Sequence, residues 1–168
     1  VAQALYEETP ESLAAREVSA RGRIVGPDGL AVEVLEASGL VNAGAFSELS
    51  AEVQVDHPAL WSIETPALYR LESELRAEGD LTDSATTTFG IRKLEFSAAE
   101  GFRLNGQVVK LKGGCVHHDN GILGSASYAR SEERKVEVHK ASGYNAIRTA
   151  HNPPAPAFLD ACDRLGML

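Results

Sequence analysis

Residues 145–154, Asn-Ala-Ile-Arg-Thr-Ala-His-Asn-Pro-Pro, decide the fold class of the C-terminal half of the chain. Residues 145–150 have the composition of a short strand, and the prolines that follow introduce a helix because proline suits a first helical turn. Gly166 is placed to end that helix. Its apolar face is predicted to consist of Phe158, Leu159, Cys162 and Leu165. The stretch therefore predicts one strand followed by one helix, a βα unit.

A second βα unit precedes this one. A strand is predicted to end near His117, and a helix follows it, with Ser131 as N-cap and Gly143 just beyond its C-terminus. The order β-α-β-α predicts parallel strands. Two such units expose too much apolar surface to form an ordinary domain. An eight-unit barrel interrupted after its second unit explains the pattern.

The N-terminal half has a different periodicity, in which apolar and polar residues alternate as they do in strands with one buried face. The turn sequence Gly-Pro-Asp-Gly at 26–29 separates the first two segments, and Asn105-Gly106 predicts a further hairpin at the start of the second half. Residues 1–96 are predicted to form an antiparallel sandwich without a helix longer than two turns. The predicted strands are 17–25, 31–35, 48–55, 69–76 and 86–92.

Five segments in order resemble glycoside hydrolase family 2. Residues 145–153 are similar to the family signature around its second barrel strand. The resemblance covers about residues 58–168. The other four segments are 58–69 (Pro-Ala-Leu-Trp-Ser with Pro-Ala-Leu-Tyr), 89–106 (Phe-Gly-Ile-Arg with Phe-Arg-Leu-Asn-Gly), 112–119 (Lys-Gly-Gly-Cys-Val-His-His-Asp) and 160–166 (Asp-Ala-Cys-Asp-Arg-Leu-Gly).

This resemblance implies a mixed fold. An all-β immunoglobulin-like sandwich is expected at residues 1–96, followed at 97–168 by the first two βα units of a (β/α)8 TIM barrel, truncated after them. We expect the family's N-terminal jelly-roll domain to be absent here, and the resemblance implies that the two catalytic glutamates lie on later strands, beyond Leu168. We therefore expect a fragment that is inactive by itself and contains no catalytic residue. Both ends of the chain have the look of cut ends.

For the whole enzyme, the resemblance implies hydrolysis of β-linked sugars with retention of configuration, through a glycosyl-enzyme intermediate. Residues 113–124 favour the β-galactosidase branch. β-Glucuronidase and β-mannosidase of the same family are the alternatives. A rival from another class is a non-catalytic sandwich or interaction module.

Three residues are predicted to bind substrate. His117 ends the first barrel strand, and Arg148 and His151 lie at the end of the second, where barrel enzymes place their functional groups. The resemblance implies that both histidines line the subsite for the non-reducing sugar and that Arg148 supports the pocket and the catalytic carboxylates. Because Arg148 follows an apolar strand, we expect it to be half-buried and paired.

Two further candidates have equally plain structural roles. Asp119 either binds substrate or caps the turn at 119–121, and Asn152 belongs either to the pocket wall or simply to the start of a helix. His118 should point away from His117, because neighbours alternate along a strand, which argues against a metal site here. Trp61 is expected to be buried against Pro58 and Pro66 rather than to stack on a sugar.

Composition narrows the classes of partner. A formal charge of −8 disfavours nucleic acid, and no apolar stretch approaches the length of a membrane span. Cys115 and Cys162 are too few and too far apart for a metal site, and both are interpreted as buried in a reduced cytoplasm, although one disulfide remains open. No cofactor is expected in this fragment. A cation in the whole enzyme would use ligands from elsewhere, and oligomerisation is left open.

Overall fold

The computed structural model describes residues 14–168, which divide into two compact units. Within the described residues, the first unit contains 14–56 and 70–88, and the second contains 57–69 and 89–168. No helix in the described part of the chain is long and apolar enough to cross a membrane. Each unit is described by itself below.

The first unit is a four-stranded sheet in the order β2-β1-β3-β4. Its strands are β1 (Arg16–Val25), β2 (Ala31–Val41), β3 (Tyr69–Ala77) and β4 (Asp80–Phe89). β1 pairs antiparallel with both β2 and β3. The predicted turn at 26–29 is confirmed: Gly29 N–H donates to the Gly26 carbonyl at 2.9 Å, and Leu30 N–H donates to the Asp28 carboxylate at 3.0 Å.

One predicted strand of this unit is wrong. Residues 48–55 form no strand in the structure, although their alternation is clear. Leu49 lies against the sheet, close to Gly39, so the alternation did identify an inward-facing side chain. A strand also needs a neighbour with free backbone groups in register, and alternation carries no information about that. The expectation that residues 1–96 contain no helix longer than two turns is confirmed for residues 14–96, while residues 1–13 lie outside the described part of the chain.

The second unit contains two small sheets and two helices. An antiparallel sheet is formed by β5 (Leu94–Ser97), β6 (Gly101–Leu104) and β7 (Gln107–Val108). The predicted hairpin between β6 and β7 is confirmed, because Asn105 and Gly106 have the positive φ angles, 52° and 79°, that a two-residue hairpin turn of this kind requires.

The order of the remaining elements is β8 (Gly113–Val116), α1 (Ala129–Ala141), β9 (Ala146–Thr149) and α2 (Pro156–Leu165). β8 and β9 pair in parallel, as predicted. The predicted start of α1 is wrong: Tyr128 is the N-cap because its backbone is still extended, and Ser131 lies inside the first turn, where its hydroxyl accepts from Tyr128 N–H at 3.2 Å. Gly166 ends α2 in the left-handed conformation, as predicted.

Two apolar clusters hold this unit together. One lies between the helices and the parallel strands, and the other contains Trp61, whose predicted burial beside Pro66 is confirmed at 2% exposure. Leu159, predicted on the buried face of α2, is exposed instead. The first cluster consists of Val136, Phe158, Ala161, Cys162 and Met167, and the second of Trp61, Ile63 and Leu104.

Asn145 connects three segments of the second unit. Its side-chain amide donates to the Lys110 carbonyl at 3.1 Å, and its side-chain oxygen accepts from Lys112 N–H at 2.7 Å. Its own carbonyl accepts from Leu168 N–H at 2.9 Å, and the Leu168 carbonyl in turn accepts from Ile147 N–H at 2.7 Å. Both sides of the start of β9 are therefore hydrogen-bonded.

Candidate functional site

The C-terminal ends of β8 and β9 lie side by side. Val116 is paired with Thr149, and Ala150 N–H donates to the Val116 carbonyl at 2.8 Å. Parallel pairing therefore brings His117 and His151, which follow the two strands, to the same end of the sheet. Their rings lie 6.1 Å apart between centroids, in an edge-to-face arrangement with an interplanar angle of 82°. Both residues are exposed.

Arg148 belongs to the same group of side chains. Its Nη2 donates to His151 Nδ1 at 3.2 Å, and its Nη1 donates to Cys115 Sγ at 3.6 Å. Three residues predicted to act together, His117, Arg148 and His151, are thus adjacent in the structure. Their role in substrate binding stays a prediction.

The expected burial of Arg148 is wrong. The residue is exposed, and it forms no ion pair with a carboxylate among the described residues. Ile147 packs against the cluster between the helices, so its neighbour Arg148 faces the other side of the parallel pair. The guanidinium therefore has N–H groups available on an open face of the sheet.

The contact with Arg148 also defines the hydrogen-bonding state of His151. A guanidinium has only donors, so His151 Nδ1 must act as the acceptor. The ring proton of His151 then lies on Nε2. The site consequently offers one imidazole N–H together with a cation, groups that suit hydroxyl and carboxylate oxygens.

The residues around these three have mainly local contacts. Asp119 Oδ1 accepts from Gly121 N–H at 3.0 Å, which confirms the turn role of Asp119. Asn152 Nδ2 donates to His118 Nδ1 at 3.4 Å, whereas the His117 ring lies edge-on to that of His151. Binding roles for Asp119 and Asn152 stay predictions. Among residues 14–168, no cluster of three or more His, Cys, Asp or Glu side chains could hold a metal ion.

A concave surface of about 520 Å³ lies on the parallel strands of the second unit. It is mainly apolar, with Cys115 and Arg148 as the polar side chains in its lining, whereas His117 and His151 lie outside that lining. The predicted sugar-binding histidines therefore stand at one end of the sheet, beside this surface rather than in it. Its apolar lining includes Leu94, Phe96, Phe102, Leu111, Ile147 and Leu168.

The two cysteines differ in a way that was not predicted. Cys115, expected to be buried, is exposed. It is paired with Arg148 of β9, and both residues face the open side of the two parallel strands. Cys162 is buried on α2 as predicted, and burial, assisted by the charge of Asp163, raises the pKa of its thiol to about 12. Both thiols are free, so the structure contains no disulfide between them.

One buried charged residue was missed. Glu132 on α1 is only 3% exposed, and its burial was not among the predictions made from the sequence. The signal was its position four residues before the buried Val136, on the same helix face. Glu132 Oε1 accepts from Asn120 Nδ2 at 3.0 Å and from Ser127 Oγ at 3.1 Å, and Oε2 accepts from Lys135 Nζ at 3.2 Å.

Comparison with known proteins identifies the family to which this chain belongs. The sequence model described as glycosyl hydrolases family 2 matches residues 4–92, and that of the family's TIM barrel domain matches residues 97–168. The chain belongs to glycosyl hydrolases family 2. The mostly β structure therefore represents the family's immunoglobulin-like domain and the start of its TIM barrel domain, as the resemblance implied.

Similar proteins have two different activities in their names. The chain is 41% identical to beta-galactosidase BoGH2A of Bacteroides ovatus, over 84% of this chain and 17% of that protein. It is 39% identical to a putative beta-glucuronidase of Formosa agariphila, over 82% of this chain and 14% of that protein. The match to the structure of Bacteroides uniformis beta-glucuronidase 2 covers 93% of this chain and 19% of that protein's chain, with a TM-score of 0.85 and 34% identity. The chain thus spans less than a fifth of each of these relatives.

Proposed function

We propose that this chain belongs to a longer retaining β-glycosidase whose substrate is a β-galactoside. β8 to α2 are then the first two βα units of its barrel, in domain 97–168, after the immunoglobulin-like domain at 1–96. The observation that carries the proposal is the convergence of His117, Arg148 and His151 at the C-terminal end of two parallel strands. The 41% identity to a beta-galactosidase supports the choice of sugar.

In this proposal the three side chains bind and orient the sugar of the non-reducing end. His151 Nε2 donates to a sugar hydroxyl, while Arg148 holds the imidazole in this tautomer through Nδ1. His117 packs edge-on against the His151 ring and limits its rotation. Such directed donors suit a sugar because its hydroxyl groups need partners at fixed angles.

The two carboxylates that cleave the bond are assigned to later barrel strands. Retaining hydrolysis needs an acid/base and a nucleophile on either side of the glycosidic bond. The α1 carboxylates have other partners: Glu132 is held in its buried network, Glu133 pairs with Arg130 and Arg164, and Glu137 pairs with Arg130. We therefore expect the 168-residue chain alone to be inactive. The similar structure of Bacteroides uniformis beta-glucuronidase 2 is of that protein covalently bound to cyclophellitol-6-carboxylate aziridine.

A β-glucuronide is the second candidate substrate. Several similar proteins are named beta-glucuronidases, and the open guanidinium of Arg148 could pair with the carboxylate of a glucuronic acid. The family resemblance alone also leaves β-mannosides as an alternative. A cytoplasmic location and independence from a cofactor in this part of the chain stay predictions.

The test is hydrolysis of aryl β-galactoside, β-glucuronide and β-mannoside by the purified longer protein, assayed side by side. We expect the galactoside to give the highest kcat/KM, and NMR of the first product to show retained β configuration. A higher kcat/KM for the glucuronide would select the second candidate. Hydrolysis of none of the three, or an inverted product, would remove the proposal.

A further inference from the structure

Glu132 is a buried carboxylate to which the loop after β8 is attached. That loop, residues 117–128, is exposed along its length except at Asn120. The Asn120 side chain donates to Glu132 Oε1 at 3.0 Å and to the Ala126 carbonyl at 2.9 Å. Ser127 Oγ, at the far end of the loop, donates to the same carboxylate oxygen at 3.1 Å. One oxygen of Glu132 thus fastens two points of the loop to α1.

The other oxygen of Glu132 acts at the beginning of the loop. Glu132 Oε2 accepts from Lys135 Nζ at 3.2 Å, and both side chains are nearly buried, with exposed fractions of 4% and 11%. Lys135 Nζ also donates to the His117 carbonyl at 3.4 Å. The ion pair therefore reaches the backbone of the residue that carries the first imidazole of the site.

Both oxygens of the Glu132 carboxylate accept hydrogen bonds in these contacts. Burial acts to raise the pKa of Glu132, but hydrogen bonds from Asn120, Lys135 and Ser127 together outweigh it, and the pKa lies below its usual value. Glu132 is consequently charged near neutral pH, in a place where an apolar side chain could pack beside Val136. Since buried ion pairs are often no more stabilising than apolar replacements, fold stability alone does not explain it.

We propose that Glu132 is a positioning residue for the sugar subsite, which acts by fixing the backbone at His117 through Asn120 and Lys135. This inference rests on the proposed function, because it assigns His117 to the subsite. It gives α1 a part in substrate binding, although none of its side chains contacts the sugar. Glu137, on the same helix, pairs only with Arg130 in the described structure, and it has no link to the loop.

The experiment is a double-mutant cycle in the longer enzyme with an aryl β-glycoside that it hydrolyses. Glu132→Leu and Asn120→Ala cut the same attachment, one from the helix and one from the loop, and Glu137→Leu is the matched control on the helix surface. We expect either of the first two to raise KM about 5- to 30-fold, with a smaller change in kcat. Glu137→Leu should leave both constants unchanged.

The same substitutions in a His117→Ala background distinguish positioning from a purely structural role. If Glu132 acts through His117, Glu132→Leu should change kcat/KM by less than about twofold in that background. Equal effects in both backgrounds, or an unchanged KM in folded variants, would overturn the inference while leaving the proposed function intact. If His117→Ala alone has no effect on kcat/KM, the assignment of His117 to the subsite is wrong, and the inference falls with it. Should Glu132→Leu fail to fold, Asn120→Ala decides the matter.

Discussion

The indole Nε1–H of Trp61 donates to the main-chain carbonyl of Asp163 at 2.7 Å, across 102 residues of sequence. Both residues belong to the second unit. Asn105 Nδ2 donates to the Trp61 carbonyl at 3.0 Å, and the Arg92 guanidinium lies 4.9 Å from the centroid of the indole. Trp61 therefore fastens residues 57–69 to the last turn of α2, and its role is structural.

Replacing Trp61 with phenylalanine should destabilise the second unit. The change removes the donor to Asp163 and leaves a gap where the larger ring was, which together cost about 2–4 kcal/mol. Urea unfolding followed by circular dichroism measures the loss. Leu60→Ala, at the exposed neighbouring position, should change stability by less than about 0.5 kcal/mol. Similar losses for the two variants would contradict the structural role of Trp61.

Two adjacent glycines should respond differently to alanine. A methyl group on Gly113 would lie 1.8 Å from the Ala146 carbonyl oxygen, whereas one on Gly114 would lie 3.6 Å from the nearest atom of Tyr144, an ordinary contact. Gly113→Ala must therefore separate β8 from β9 and should cost more than about 3 kcal/mol. Gly114→Ala should be tolerated. Thermal unfolding of both variants checks this, and equal melting temperatures would count against the β8–β9 pairing.

The two thiols should react at different rates in the native 168-residue chain. Cys115 is exposed, while Cys162 is buried and has a thiol pKa raised to about 12, so it forms little of the reactive thiolate. Titration with a chromogenic disulfide reagent should modify one thiol quickly and the second only after denaturation. Cys115→Ser should abolish the fast phase and Cys162→Ser should leave it intact. Two thiols of equal reactivity would refute the arrangement.

The stability contributed by Glu132 should depend on pH. Because the folded-state pKa of Glu132 is lowered from its ordinary value of 4.5, the carboxylate stabilises the fold above that value, and the contribution is lost as the pH falls through the folded pKa. The difference in unfolding free energy between the wild type and Glu132→Gln should thus be largest near about pH 7 and shrink below about pH 4. Denaturant unfolding over this range measures it. Glu64→Gln, at an exposed position, controls for loss of one charge, and a gap that widens on acidification would be the contrary result.

His151→Ala in the longer enzyme should damage turnover more than stability. A hydrogen bond to the distorted sugar acts mainly in the transition state, so kcat and kcat/KM should both fall, by roughly thirty- to a thousandfold. Arg148→Ala should also lower kcat/KM, because it removes the donor that fixes the His151 tautomer. The melting temperature of each variant should stay near that of the wild type. His139→Ala, on the last turn of α1, is the control, and near-normal kcat/KM in folded His151→Ala would remove His151 from the site.

Local signals in the sequence were sufficient for turns and for element order. The Asn105-Gly106 hairpin, the glycine after α2 and the β-α-β-α order depend on backbone preferences of a few neighbouring residues, and all were predicted correctly. The grouping of His117 with His151 followed from the same order, because strands that pair in parallel bring their C-terminal ends together.

Burial was predicted less well, since it depends on what covers each face. Neighbouring strand residues face opposite sides, so Arg148 faces away from Ile147, but this rule does not tell that the side of Arg148 and Cys115 is open. The burial of Glu132 was missed, because its partners Asn120 and Ser127 come from a loop that periodicity does not describe. Hydrogen bonds between segments that are distant along the chain could not be predicted from the sequence patterns.

The connections of Asn145 have a consequence for the order in which this part of the molecule opens and closes. Asn145, next to the start of β9, is hydrogen-bonded to Lys110, Lys112 and Leu168. Lys112 and Leu168 lie 33 and 23 residues from it along the chain. Breaking its contacts releases all three segments together, so the backbone amides of Lys112, Ile147 and Leu168 belong to one cooperative opening unit. Because their closure must await contacts distant in sequence, we expect the parallel pair to form late in folding, after the local β6–β7 hairpin.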